Sequence, residues 1–331
     1  MKSKKENFNK YFANELLAER FFAKQRWDNK PVCPYCESTK IYRGKGAQPY
    51  KCGSCNHKFT VKTGTIIEGS HIPVKTWLKA MHLMGTASKG MSSIQMAGYL
   101  EVQQKTAWFM AQRIREACYE HGKLKGTVEM DETYVGGKEK NKHYNKRNRN
   151  GRGAVNKIAV VGMKERNGRT IGQVVKNTGK YTLRRVIDAN ISKKAEIFTD
   201  DFSSYRGLTK AGYKHRAVNH SKGEYVNGEV HTNSIESVWA TFKRGLYGTY
   251  HHVSKKHLQR YVNEFAFRLS SRSSNNFVMA VCRNKQNGLS YRKLIRKYGK
   301  TNYRAVKPAL QKGGQGGSQI QEAILPLIAV A

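Results

Sequence analysis

Four cysteines constrain this chain more than any other residues in it. Cys33-Pro-Tyr-Cys36 is followed, after the fifteen residues 37 to 51, by Cys52-Gly-Ser-Cys55. Two CxxC pairs at this separation bring four thiolates to one tetrahedral ion, and the small Gly53 and Ser54 allow the second pair a tight turn around it. The expected element is a ribbon that holds Zn²⁺ through Cys33, Cys36, Cys52 and Cys55. That ion is structural, because four thiolates close the coordination shell and leave no position open for a substrate. Disulfides are the competing arrangement and suit an oxidising compartment, whereas the N-terminal MKSKKENFNKYF lacks the apolar run of a secretion signal. An iron–sulfur cluster is disfavoured because the spacing is not that of the common ferredoxin patterns. Cys118 and Cys282 remain as ordinary buried thiols.

Charge narrows the partner. Lys and Arg number 61 against 23 Asp and Glu, a formal charge of +38 spread along most of the length. Such a field favours a polyanion, since neutralising phosphates releases condensed counterions. It points to nucleic acid without distinguishing an enzyme from a structural binder. The most apolar segment, Ile320 to Ala331, is shorter than the ~20 residues of a membrane span and contains Pro326. No membrane partner and no small-molecule substrate are expected, and the chain reads as cytoplasmic and associated with the nucleoid.

Periodicity orders the remainder. Residues 8–27 carry Phe8, Tyr11, Phe12, Leu16, Leu17 and Phe21 at helical spacing and predict one short amphipathic helix ahead of the ribbon. From Val74 to about Tyr119 the pattern is helical in three pieces, broken at Ser88–Gly90 and near Val102. The last two pieces have the form of a helix-turn-helix, a pattern shared with any plain three-helix unit. At Gly126 strands begin: TVEMDETYVGG, NKIAVVGMKE and TIGQVVKN. The first alternates and places Glu129, Asp131 and Thr133 on one face with Glu132 on the other; the second is apolar throughout, as in a strand buried on both sides. Between them Lys138–Arg152 holds seven basic residues and one acid, a loop that is either solvated surface or an arm on DNA. A helix from about Thr182 to Asn190, the strand AEIFTDDF, a helix from Ser203, and an edge strand at His215–Val218 follow. Beyond residue 272 the chain is basic and poorly patterned, and GGQGG at 313–317 reads as linker or disorder.

His231–Gly248 carries the densest information. Ile235, Val238, Trp239 and Phe242 fall at i, i+3, i+4 and i+7, one apolar stripe of a helix. Glu236 and Lys243 share a line at its edge, two turns apart. Asn233 and Glu236 also have the spacing of a capping box, which would make the glutamate only a helix-start residue. The acids upstream favour a different role. Asp131 lies mid-strand and Asp200 at a strand end, where open α/β sheets keep their chemistry. Clustered carboxylates repel one another unless cations neutralise them, so Asp131, Asp200 and Glu236 read as a site for Mg²⁺ or Mn²⁺, with two such ions suited to phosphodiester chemistry.

Together RWxxxxxCPYC, KCGSCNHKFTVKTGTI, KTAW, EMDETYVGG, FTDD, HTNSIESVWATFKRG and GTYHHVSKKHLQRYVNEFAFR resemble the DDE insertion-sequence transposases that carry an N-terminal zinc ribbon, over roughly residues 8–272. The resemblance implies an RNase H-like, retroviral-integrase-like mixed-sheet α/β catalytic domain, with Asp131, Asp200 and Glu236 as metal ligands. It implies that Lys243, with Arg244 beside it, meets transposon-end DNA; Lys138, Lys140, Lys142, Lys146, Arg147 and Arg149 of the basic loop join it if that loop is an arm on DNA. The family's TD word favours Asp200 over Asp201. The expected organisation is helix and ribbon (1–72), helix-turn-helix-like segment (73–125), catalytic domain (126–272) and a basic extension with a disordered tail (273–331). The implied activity is binding of terminal inverted repeats, then cleavage and strand transfer on double-stranded DNA by a homo-oligomer. A nuclease or junction resolvase would use the same acids and stop at hydrolysis. A zinc-ribbon regulator would need no acid triad.

Overall fold

The fold rests on two sheets and a helical layer that joins them. The computed structural model describes residues 7–45, 48–119, 122–137, 141–147, 156–218, 228–271, 273–284 and 289–295, all within one compact unit that runs to Ile295. Among them no helix is long and apolar enough to cross a membrane.

The predicted first helix is two helices, α1 (Asn9–Ala13) and α2 (Glu15–Trp27). The break falls at Asn14, whose side chain accepts the Leu17 N–H and so starts α2 in its own register. The ribbon follows as β1 (Ile41–Arg43), β2 (Tyr50–Cys52) and β3 (Lys58–Phe59), an antiparallel sheet in that order. Helices α3 (Val74–Thr86), α4 (Ser93–Leu100) and α5 (Gln104–Ala117) come next. Glu15 accepts the N–H groups of Val74 and Lys75 at 2.7 and 2.9 Å, so a carboxylate on α2 caps the start of α3. Ser92 and Gln95 form a reciprocal capping box on α4.

Ribbon and helices share one apolar core that includes Phe22, Phe59, Trp77 and Met110. It is completed by α9 (Ser274–Arg283), which contributes Phe277, Val278, Val281 and Cys282. The region after 272, expected to be poorly patterned, therefore opens with an amphipathic helix. Each large apolar side chain removed from water contributes about 1.5–3 kcal/mol, enough to seat a helix whose other residues include Ser274, Asn275 and Asn276.

The second sheet has the order β6-β5-β4-β7-β8, from β4 (Thr127–Val135), β5 (Ile158–Glu165), β6 (Thr170–Val175), β7 (Glu196–Asp200) and β8 (Lys214–Val218). β6, β5 and β4 are antiparallel; β7 and β8 run parallel to β4. Strand β5 is buried on both faces, as its apolar run predicts: Val161 and Met163 join a core under α6 (Lys180–Asn190), and Val160 joins one under α7 (Asn233–Gly245) and α8 (Leu258–Ser271). The helix expected from Ser203 is only a 3₁₀ turn, Ser203–Tyr205, followed by Gly207 at φ +90°, a backbone angle that ends a helix. The β6 edge is closed by α8. Gln259 accepts the Val174 N–H at 2.7 Å and donates to the Gly172 carbonyl at 2.9 Å, and Ser270 Oγ accepts the Thr170 N–H at 2.9 Å.

A buried charge cluster ties the helical layer to this sheet. Arg115 on α5 meets Glu264 on α8 at 2.6 Å, with both side chains almost wholly buried. Arg268 and the Tyr250 hydroxyl complete the partners of Glu264. Burial alone would raise the Glu264 carboxyl, but Arg115 and Arg268 hold it below its ordinary value. Such a cluster fixes geometry more surely than it adds stability.

Candidate functional site

In the ribbon, the four sulfur atoms lie within 4.8 Å of one another. Cys33 and Cys55 are 3.6 Å apart, as are Cys36 and Cys52. A tetrahedron with Zn–S near 2.3 Å has edges of about 3.8 Å, whereas a disulfide needs about 2.05 Å, so the four thiols fit one tetrahedral ion and are not paired. The N–H groups of Ser54 and Cys55 point at Cys52 Sγ at 3.3 and 3.5 Å and hold that thiol below its ordinary value. The neighbouring thiols push Cys36 and Cys55 the other way, so it is the convergence of four sulfur atoms that points to an ion. Cys118 and Cys282 are both buried, as expected of packing thiols.

The second candidate site is built where three elements meet. Alternation along β4 holds as predicted: Val128 and Met130 face the α6 core, Val135 faces the α7 core, and Asp131 lies on the α7 side. The parallel register pairs Glu129 with Phe198. Asp131 and Asp200 each lie two residues beyond that last pair on their own strands, and so on the same face as it. Asp200 Oδ1 accepts the Phe202 N–H at 3.2 Å, a short turn that fixes the end of β7, and Asp201 is exposed beyond it.

Helix α7 brings the third acid. Ile235, Val238, Trp239 and Phe242 are all buried, so the predicted stripe seats the helix on the sheet. It comes close because Gly162, opposite Asp131 in the β4–β5 ladder, carries no side chain. A Cβ there would lie 2.3 Å from the Trp239 ring and 2.7 Å from Ile235. Its ladder partner Gly172 makes the same room for Val262 of α8, where a Cβ would meet Cγ1 at 2.3 Å.

Glu236 is not part of a capping box. The N-cap is Thr232, one residue before Asn233, and its hydroxyl donates to Glu236 Oε1 at 3.0 Å instead of capping the backbone. The helix start is held from outside by Glu129, which the sequence placed on the Asp131 face without a role. Its carboxylate accepts Ser234 N–H at 2.8 Å, Ile235 N–H at 3.2 Å, the Ser234 hydroxyl at 3.0 Å and Arg166 Nε at 2.9 Å.

Electrostatics join the acids. The Asp131 carboxyl is pushed up to about 6, mainly by burial and further by the charges of Asp200 and Glu236; the Glu132 N–H at 2.7 Å and the Lys243 ammonium oppose the shift. Glu132, on the opposite face, is pushed up to about 8 by burial, with Asp131 and Asp200 adding, while it accepts the Tyr205 hydroxyl. Half-buried Asp131 and Asp200 with exposed Glu236 would offer a hard oxygen donor set short of positive charge, of the kind that suits Mg²⁺ or Mn²⁺. The three carboxylates do not gather within the 4.8 Å that encloses the thiols; among the described residues the cysteines are the set that does.

Lys243 and Arg244 are exposed on the last turn of α7, and Arg244 donates to Thr241 Oγ1 at 3.3 Å. In the basic loop, Lys142 and Arg147 flank a 3₁₀ turn and Arg147 Nε donates to the Lys142 carbonyl at 2.9 Å. Lys138, Lys140 and Arg149, and the side chain of Lys146, lie outside the described residues.

Comparison with known proteins gives two matches to family models. The ISXO2-like transposase domain matches residues 123–270. The transposase zinc-ribbon domain matches residues 13–58. The chain is also 30% identical over 274 residues to an uncharacterized protein in transposable element ISH50 of Halobacterium salinarum, an alignment covering 78% of this chain and 92% of that protein.

Proposed function

We propose, because this chain belongs to the ISXO2-like, zinc-ribbon family of insertion-sequence transposases, that it binds the terminal inverted repeats of its element and cuts and joins DNA at Asp131, Asp200 and Glu236. The observation that carries the site assignment is the half-buried Asp131 carboxyl on β4, whose ionisation is opposed by Asp200 at the end of β7 and Glu236 on α7. The mixed five-stranded sheet with helices on both faces supports an RNase H-like reading of residues 126–272.

Asp131, Asp200 and Glu236 would hold Mg²⁺ or Mn²⁺, which supplies neutralisation of the phosphate charge and activation of the attacking oxygen. The chain's own part is to fix those three carboxylates on a rigid sheet and a seated helix, and to set Lys243 and Arg244 beside them for the phosphates of the end. Water displaces the strand at the transposon end and frees a 3′-hydroxyl. That hydroxyl then displaces a target-strand oxygen. In each displacement one P–O bond forms as another breaks, and no protein residue is esterified.

The ribbon and the segment 73–125 are the proposed end readers. On α4 and the first turn of α5, Ile94, Tyr99, Gln104 and Lys105 are exposed, whereas Gln112, Arg113 and Arg115 further along α5 are buried. The first turn is where a helix-turn-helix reads base edges. Two ends must be joined at one target, so a homo-oligomer on DNA is the proposed working form.

Glu236→Gln tests the assignment. It should fold and bind labelled end DNA like the parent, while end cleavage and strand transfer in Mg²⁺ fall to background, as they should for Asp131→Asn and Asp200→Asn. Strand transfer near the parental level would remove Glu236 from the site. Retained cleavage without joining by the parent protein would favour the nuclease reading.

A further inference from the structure

We propose that Glu129 is the positioning residue of this site: its buried carboxylate locks the start of α7 to β4 and thereby sets Glu236 against Asp131. The inference rests on the site assignment above. It stands on geometry. Glu129 is fully buried, and a buried carboxylate persists only where donors surround it. Four converge on it from two directions. Ser234 and Ile235 offer both backbone N–H groups and the Ser234 hydroxyl from the first turn of α7, and Arg166, at the end of β5, offers Nε. Arg166 is itself fixed, with Nη2 on the Glu229 carbonyl at 2.7 Å and its guanidinium 4.9 Å over the Phe198 ring.

The placement has a direct consequence for the acids. Glu129 is two residues from Asp131 on the same strand face, and its acceptor oxygens take the amide of Ile235, the residue before Glu236. The path from one acid to the other is two strand residues, one hydrogen-bonded carboxylate and one helical step. Thr232, at the N-cap, supplies no capping bond of its own, and two of the orphan N–H groups of the first turn, those of Ser234 and Ile235, are taken by Glu129. The carboxylate also lies at the positive end of a 13-residue helix, where negative charge is favoured. The apolar stripe seats α7 on the sheet, and Glu129 fixes the height and rotation of its first turn. Displacing a reacting group by about 1 Å lowers turnover on the order of 100-fold.

Glu129→Gln and Glu129→Asp separate this role from simple stabilisation. Glutamine keeps the size but turns an N–H₂ toward a donor; aspartate keeps the charge but is one methylene short of its partners. The measurement is the dissociation constant for Mn²⁺ alone, read from the free-ion electron paramagnetic resonance signal without DNA, beside strand transfer and a urea midpoint. Losing a residue that orients metal ligands weakens metal binding or turnover by about 10–100-fold. We expect a rise of that size in the Mn²⁺ constant for both variants, with end-DNA binding in EDTA unchanged. Folded variants that bind Mn²⁺ and transfer strands like the parent would overturn the proposal, even if they unfold earlier in urea. Should neither fold, Ser234→Ala decides: weaker Mn²⁺ binding is expected, and a parental constant overturns the proposal. If Glu236→Gln binds Mn²⁺ as tightly as the parent, the site assignment itself fails. If that variant loses Mn²⁺ and the Glu129 variants do not, only the positioning role fails.

Discussion

Replacing Glu132 with glutamine should stabilise the metal-free protein, and more so as the pH rises. In the folded chain this carboxyl is pushed from 4.5 to about 8, by burial first and by Asp131 and Asp200 after it. A carboxyl whose folded value is raised contributes stability that is fully present below the unfolded value, near pH 4.5, and lost as the pH climbs through about 8. Between those limits folding retains one proton that the unfolded chain gives up, so stability falls by about 1.4 kcal/mol per pH unit. The loss on this account is about 3 kcal/mol at pH 7 and on the order of 5 kcal/mol above pH 8. Glutamine has no proton to retain, and its amide oxygen still accepts the Tyr205 hydroxyl. Urea midpoints followed by tryptophan fluorescence in EDTA, from pH 4.5 to 8.5, are the assay. The parent curve should fall with pH and the variant curve should be flatter, the two diverging by a few kcal/mol at pH 8. Asp131 titrates with the same sign in both proteins, so the divergence reports Glu132. Parallel curves would refute the reasoning and mean that water reaches Glu132. Strand transfer by the variant should stay near the parental level, since Glu132 lies on the sheet face away from α7.

Cys33→Ser should release zinc and loosen more than the ribbon, because Phe59, Trp77 and Phe277 share one core with Cys33 and Cys52; fluorescence of Trp27 and Trp77 should shift to the red, while the cores on the two faces of the second sheet stay folded. A zinc assay that finds no metal in the parent, or iron with sulfide, would contradict this. Gly162→Ala should cost about 1–3 kcal/mol by overpacking against Trp239, and should lower strand transfer beyond what the lost stability explains, because α7 is lifted beside Asp131. A urea midpoint equal to that of the parent would show that the ring simply moves aside.

What the sequence revealed and what it hid divide along one physical line. Features fixed by local spacing were legible: the cysteine pairs converge, the alternation of VEMDETYV sorts Asp131 from Glu132, and the stripe on α7 is buried residue for residue. Asn14, an ordinary capping residue inside a helical pattern, was a local signal for the break between α1 and α2. The stripe Phe277, Val278, Val281 and Cys282 was also present, but it is short and opens on Ser274, Asn275 and Asn276, residues that also suit a loop. Other features depend on partners far along the chain. Glu129 meets Ser234 across 105 residues, Arg115 meets Glu264 across 149, and Tyr205 meets Glu132 across 73. No window of sequence contains both members of such a pair. The capping-box reading of Glu236 failed for the same reason: the N-cap is Thr232, and the Ser234 and Ile235 N–H groups at the start of α7 are taken by Glu129 from β4. Glu236 is a glutamate that no cap requires, and its charge opposes ionisation of Asp131 on another element, which is why its proposed role is chemical and not that of a helix start.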